Sequence, residues 1–235
     1  MKSGSKRALP RQGGRARLME AIGQRGRRAN NIYLVFSPKL GRDLILTSDL
    51  EEEHWLLLES DASIDTFDLD PPEVVVQIGE DNLATKLDAV IRFRDGRREW
   101  REVKHASALR DEDTRAVAQE EAQRAAAARD GAVYRRITDE DLDRVAPTIR
   151  NWRRVVAILA RTRGIELSIE RNRLGAMLRL RGRICLDDAV QGATPERRAT
   201  TAAALFSLVQ AGTVTCDLDV APLSRNTTFW LEMPS

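Results

Sequence analysis

The sequence predicts an α/β chain with a mixed sheet, built in the order helix, three strands, helix, strand, followed by a smaller C-terminal unit of winged-helix form. Three observations carry this. A capped amphipathic stretch at 48–60 comes before several β-branched runs. An Ala-rich stretch at 111–129 separates those runs from one more, "AVYRRI". A strand that follows its neighbour through a helical crossover pairs with it in parallel, whereas the hairpins before it are antiparallel, hence a mixed sheet.

Residues 32–46, "IYLVFSPKLGRDLIL", read as two short extended pieces around a turn at Pro38 to Gly41. "SDLE" has the form of a capping box, with Ser48 at the N-cap and Glu51 three residues on. The helix it opens runs to about Ser60, with Leu50, Trp55, Leu57 and Leu58 as its apolar surface. "VVVQI" (74–78) follows Pro71-Pro72 and is the first of the three strands. The other two lie in "KLDAVIRFRDGRREWREVKHASAL" (86–109), joined near Asp95-Gly96. Residues 111–129 combine alanines with early acids, a helix signal. Gly131 ends that helix, and 132–137 is the last strand of the sheet. Thr138 caps a helical region interrupted at Pro147 and continuing to about Arg163.

After Gly164 the pattern changes. Residues 170–182 and 187–192 read as short helices around an extended "RICL". Thr194-Pro195 opens a helix to Ala211, and "TVTCDLDV" and "TTFWLE" read as a hairpin. The expected organisation is a basic flexible arm (1–30), an α/β domain (31–164) and a winged-helix-like domain (165–235).

The two cysteines, Cys185 and Cys216, are too few for a disulfide framework or a zinc site and suit a reducing cytosol. No apolar run approaches the roughly 20 residues of a membrane span. No apolar stretch follows the basic N-terminus, so a signal peptide is not expected. The arm carries Lys6, Arg7, Arg11, Arg15, Arg17, Arg25, Arg27 and Arg28 against the single acid Glu20. Such an excess attracts polyanions, of which nucleic acid is the usual one.

Chemistry concentrates in 86–109. Alternation puts Ala89, Ile91 and Phe93 on one face of their strand. If Val103 joins them in the core, Asp88, Glu102 and Lys104 emerge together on the opposite face. This requires an odd number of residues in the connecting loop, such as Asp95 to Arg97, or a bulge. A plain two-residue turn opposes Ala89 to Glu102 and scatters the group. Two close carboxylates repel unless a cation sits between them, and Mg²⁺ suits carboxylate oxygens, with Mn²⁺ able to substitute. Lys104 could then orient a water or stabilise a pentacovalent phosphate, the inventory of metal-assisted phosphodiester hydrolysis. A solvent-facing hairpin with paired charges explains the same spacing. A capping role explains Glu51 by itself, and His54 and His105 read as ordinary polar positions.

The order of elements with D…E-x-K resembles the PD-(D/E)xK nucleases of restriction-endonuclease-like fold. More specifically, "LTSDLEEEHWLLLESDASIDTFDLDP", "LDAVIRFRDG" and "REVKHASALRDEDT…ITDEDL" resemble the TnsA family, endonuclease subunits of heteromeric DNA transposases. The resemblance covers about residues 40–160, and "GRICLDDAV" and "LDVAPLSRNTTFWL" suit that family's C-terminal domain. It implies catalytic and metal-binding roles for Glu51, Asp88 and Glu102, and a catalytic role for Lys104. Glu102 stands where the family often has Gln, and Leu87 where the wider motif has proline. It further implies cleavage of the 5′ ends of a transposable element in double-stranded DNA, beside a TnsB-like transposase and a TnsC-like AAA+ ATPase regulator, in the bacterial cytoplasm at the nucleoid. Two other readings stand beside it: a stand-alone restriction or repair nuclease, and a winged-helix DNA-binding regulator without catalysis. Against the last, the helix at 195–211 has Arg197 and Arg198 but is otherwise poorly basic, which favours protein docking for that domain.

Overall fold

The structure is a computed structural model of the full chain that describes residues 31–78, 81–109 and 114–231. The basic arm, Lys6 to Arg28, lies outside the described residues. The chain begins with an antiparallel ribbon, β1 (Tyr33–Ser37) and β2 (Arg42–Leu46), turned at Gly41 with φ of 65°. Helix α1 (Asp49–Ser60) follows. Its N-cap Ser48 accepts a hydrogen bond from the Glu51 N–H at 3.1 Å.

The central sheet has four strands in the order β3 (Ile64–Asp68), β6 (Ala89–Phe93), β7 (Arg98–Lys104), β8 (Val133–Thr138). The first two pairings are antiparallel and the last is parallel, so the sheet is mixed. The crossover from β7 to β8 contains the short α2 (Ala106–Leu109) and α3 (Thr114–Arg129). The sheet's first strand is therefore 64–68. "VVVQI" is β4 (Val74–Ile78), which among the described residues pairs with β5 (Asp81–Thr85) in a separate hairpin that packs on α3.

Beyond β8, α4 (Asp139–Arg144) starts from a full capping box between Thr138 and Asp141. Helix α5 (Ala146–Arg161) carries Pro147 in its first turn, where a missing N–H costs nothing. Its buried stripe of Ile149, Trp152, Val155, Val156 and Leu159 packs on α1.

The C-terminal part runs α6 (Ser168–Arg181), β9 (Arg183–Cys185), α7 (Leu186–Val190), α8 (Pro195–Gln210), β10 (Val214–Cys216), β11 (Thr228–Leu231). Thr194 caps α8 by accepting from the Arg197 N–H. The three strands form an antiparallel sheet in the order β10-β11-β9.

Two apolar clusters sandwich the four-stranded sheet. The larger runs from Leu46, Trp55 and Ile91 through Trp152 to Leu174, Phe206 and Phe229, so α1, α5 and the C-terminal part share one core. The smaller joins Val76, Leu87, Trp100 and Tyr134 to Ala122, Ala126 and Ala127 of α3 on the opposite face. Among the described residues, no helix is long and apolar enough to cross a membrane.

Candidate active site

Four residues separate β6 from β7, and the register that pairs Arg92 with Arg98 sets Phe93 opposite Arg97, leaving three, Arg94 to Gly96, in the turn. The Phe93 N–H donates to the Arg97 carbonyl at 2.9 Å, and Gly96 takes a φ of 88° that its missing Cβ permits. The loop is odd, as a shared face requires, and sits one residue earlier than Asp95 to Arg97. Ala89 lies opposite Arg101 and Ile91 opposite Glu99. Continued by one residue, the register sets Asp88 against Glu102. Val103 packs with Ala89, Ile91 and Phe93 in the larger cluster. Asp88, Glu102 and Lys104 therefore share the face that also carries Trp100 and Tyr134.

Asp88 immediately precedes β6, exposed as a residue but with its carboxylate crowded by neighbouring groups. Its Oδ2 accepts the Val103 N–H at 2.7 Å, closing the ladder where backbone pairing stops. Its pKa is nonetheless raised, first by crowding that strips water from the carboxylate, and then by the charges of Glu102 and Glu51. The Val103 hydrogen bond and Lys104 act in the opposite direction. Glu51, Glu102 and Lys104 thus all lie within electrostatic reach of Asp88.

Glu102 is held at both oxygens. Oε1 meets the Lys104 ammonium at 2.8 Å, and Oε2 accepts the Tyr134 hydroxyl at 2.8 Å. Burial and the Glu102 charge and hydrogen bond push the Tyr134 phenol far up, so it stays a donor at any ordinary pH. Glu51 behaves differently from the expected capping box. Its Oε2 accepts the Thr47 N–H at 2.7 Å and its Oε1 the Thr47 hydroxyl at 2.8 Å, one residue outside the Ser48 position.

The donor chemistry fits Mg²⁺, which takes oxygen ligands and commonly uses only one or two protein carboxylates. Asp88 and Glu102 supply that number. A third ligand is not assembled: among the described residues, no group of three His, Cys, Asp or Glu side chains is placed to hold a metal ion. Both Glu51 oxygens are engaged by Thr47, although the Glu51 charge is felt at Asp88.

Two sets of residues escaped the sequence reading. Tyr134 is the first. Alternation in "VYRRI" puts it on one face with Arg136, and parallel pairing sets Trp100 beside Tyr134 and Glu102 beside Arg136. The second lies on the other face of β7, where Glu99 and Arg101 are both buried. Arg101 donates to Glu99 Oε2 at 2.7 and 2.9 Å, and Arg135 meets Glu99 Oε1 at 3.0 Å. His54 is buried here, with its Nε2 3.5 Å from Arg101, and burial and that cation bring its pKa down to about 3. His105 is the surface polar position expected, 3.0 Å from Asp139.

No protein-family model matches this chain, and no curated protein matches it in sequence.

Proposed function

We propose that this protein is a Mg²⁺-dependent DNA endonuclease, with the sheet as a restriction-endonuclease-like core and the C-terminal part as a winged-helix-like domain. The observation that supports the site most is Asp88. It feels two other carboxylates and one lysine, all brought to one end of the sheet from α1 and two neighbouring strands. The order helix, strand, helix, helix, strand, strand after residue 168 supports the second domain.

Asp88 and Glu102 would hold the ion. Bound there, Mg²⁺ would neutralise phosphate charge and acidify a water. The chain's own contributions follow from the geometry. The Val103 amide and Tyr134 fix the two carboxylates in position. Lys104 shares the face with Glu102, one pleat repeat of about 7 Å along the strand, and can face charge developing on phosphorus. Glu51, whose charge reaches Asp88, would add a third carboxylate once released from Thr47.

The resemblance to the TnsA family narrows the proposed substrate to the 5′ strands at transposon ends, with TnsB-like and TnsC-like proteins as partners. The basic arm would add phosphate contacts, and removing residues 1–28 would then shallow the salt dependence of DNA affinity. The test is incubation of labelled end-bearing duplex with Mg²⁺, with and without the neighbouring transposition proteins. Cleavage that Asp88→Ala and Glu102→Ala both lose supports the assignment. Full cleavage by either variant refutes it.

A further inference from the structure

A cleft of about 390 Å³ opens where the β1–β2 turn, the β6–β7 loop, α6 and α8 meet. It lies at the C-terminal end of α1, whereas Glu51 occupies the first turn, about 13 Å away along the helix axis. Its lining includes Lys39, Arg94, Arg171, Asp65, Ser207 and Gln210. The cations outnumber the one acid three to one, and Asp65 already serves Arg92 at 2.8 Å.

The state of these cations sets the cleft apart. Several arginines elsewhere meet carboxylates, among them Arg92, Arg98, Arg101, Arg153 and Arg163, although Arg154 and Arg198 bond backbone carbonyls instead. Arg94 and Arg171 also meet no carboxylate, among the described residues. Arg94 Nε donates to the Ala62 carbonyl at 2.8 Å, and Arg171 Nε to the Ser207 hydroxyl at 2.9 Å. Both acceptors are neutral. Each contact uses Nε, and among the described residues the terminal amino groups of these two lining arginines make no hydrogen bond. Lys39 reaches the carbonyls of Leu58 and Asp61 at 2.9 and 2.6 Å, again neutral acceptors. Burial, with the Arg94 charge nearby, draws its pKa down to about 8, although Glu59 and Asp61 oppose the fall. The cleft therefore concentrates positive charge in a partly desolvated space.

We propose that this cleft binds a tetrahedral oxyanion of the phosphate class, gripped by the paired terminal amino groups of Arg94 and Arg171 with Lys39 behind. Planar guanidinium forks match phosphate oxygens in pairs. Because the cleft is walled by the β1–β2 turn on one side and α6 and α8 on the other, the anion joins the N-terminal and C-terminal parts of the chain. This site is independent of the nuclease reading. The phosphate could arrive free, as a nucleotide monoester, or within a nucleic acid backbone.

The test is calorimetric titration of the full chain with inorganic phosphate, against chloride at matched ionic strength. Wild type should show one saturable site. Arg94→Gln and Arg171→Gln should each weaken it by about tenfold, the loss of a charged hydrogen bond, with unchanged thermal unfolding in chloride. Parallel arms with a nucleoside monophosphate and a short single-stranded oligonucleotide identify the source by which binds more tightly. A phosphate response that chloride reproduces, or one that both variants keep at wild-type strength, overturns the proposal. A variant that unfolds early in chloride is replaced by Arg94→Lys or Arg171→Lys. These keep the charge but not the fork, and unaltered phosphate affinity in both would equally overturn it.

Discussion

Strand β7 carries two acid–cation pairs of the same spacing, Glu99-x-Arg101 and Glu102-x-Lys104, and the strand's pleat sends them to opposite faces. The first is closed. Both of its members are buried, a second arginine completes the acid, and the neighbouring histidine stays neutral. One acid faces two arginines. The second pair is open at one end, and there, among the described residues, Asp88 feels the acids Glu102 and Glu51 and the cation Lys104. Loss of water around the carboxylate, and then the charges of Glu102 and Glu51, raise the Asp88 pKa despite the amide bonded to it. A strand that neutralises one face and leaves negative surplus on the other has a structural side and a side suited to a cation. That asymmetry, more than the D…E-x-K spacing, supports the active-site assignment.

The comparison breaks most visibly in activity. Asp88→Asn and Glu102→Ala should each reduce Mg²⁺-dependent strand cleavage to background in a gel assay. Lys104→Ala should slow the chemical step while leaving metal and DNA affinity nearly intact, a defect confined to the transition state. In the transposase setting, that variant should still permit 3′-end joining, with products held to donor DNA at uncut 5′ strands. Clean double-strand excision by Lys104→Ala would remove its role.

Stability should divide the other way. Glu99→Gln leaves Arg101 buried without its anion and should cost about 3–5 kcal/mol in urea unfolding. Asp88→Asn should hold or raise stability without metal, because it removes a crowded charge.

The two faces should also answer pH in opposite directions. His54 has a folded pKa of about 3 against an ordinary 6.5, so the folded state resists its protonation. Its contribution is present above 6.5 and is lost as pH falls from there toward 3. Asp88 has a folded pKa above its ordinary 3.8, so the folded state holds the proton more tightly. Metal-free stability from this group therefore falls as pH rises from 3.8 through the raised value, and the penalty persists above it. Denaturant midpoints across pH should lose the first slope in His54→Gln and the second in Asp88→Asn.

The smallest effect belongs to Tyr134→Phe. It deletes one hydrogen bond to Glu102, worth about 1 kcal/mol or slightly more to a charged acceptor. Metal affinity should fall severalfold, with the fold unchanged by circular dichroism.

Much of this was legible in the sequence because strand parity is strict. Asp88, Glu102 and Lys104 could be placed on one face once Val103 was assigned to the core, and only the loop count stood open. Strand β3 was not legible. A register shift between Ile64 and Thr66 turns the chain, so Ile64 and Phe67 are both buried at a spacing of three. That breaks the period of two by which a strand is recognised, and Asp65, Asp68 and Asp70 make the stretch look like a loop. "VVVQI" was a strand with an unreadable partner. Its β-branched run suggests burial, yet Val75 is 65% exposed on a local hairpin. Glu51 shows a third limit. Spacing identifies a helix cap, but which amide the carboxylate chooses, Ser48 or Thr47, depends on how the chain enters the helix.

The central claim is that the surplus charge around Asp88 takes a divalent cation, and calorimetric titration of the purified chain with Mn²⁺ tests it most directly. The account predicts one saturable site in wild type, its loss in Asp88→Asn and in Glu102→Ala, and its retention in Lys104→Ala. Absence of a saturable site in wild type, or equal binding by Asp88→Asn, would contradict it.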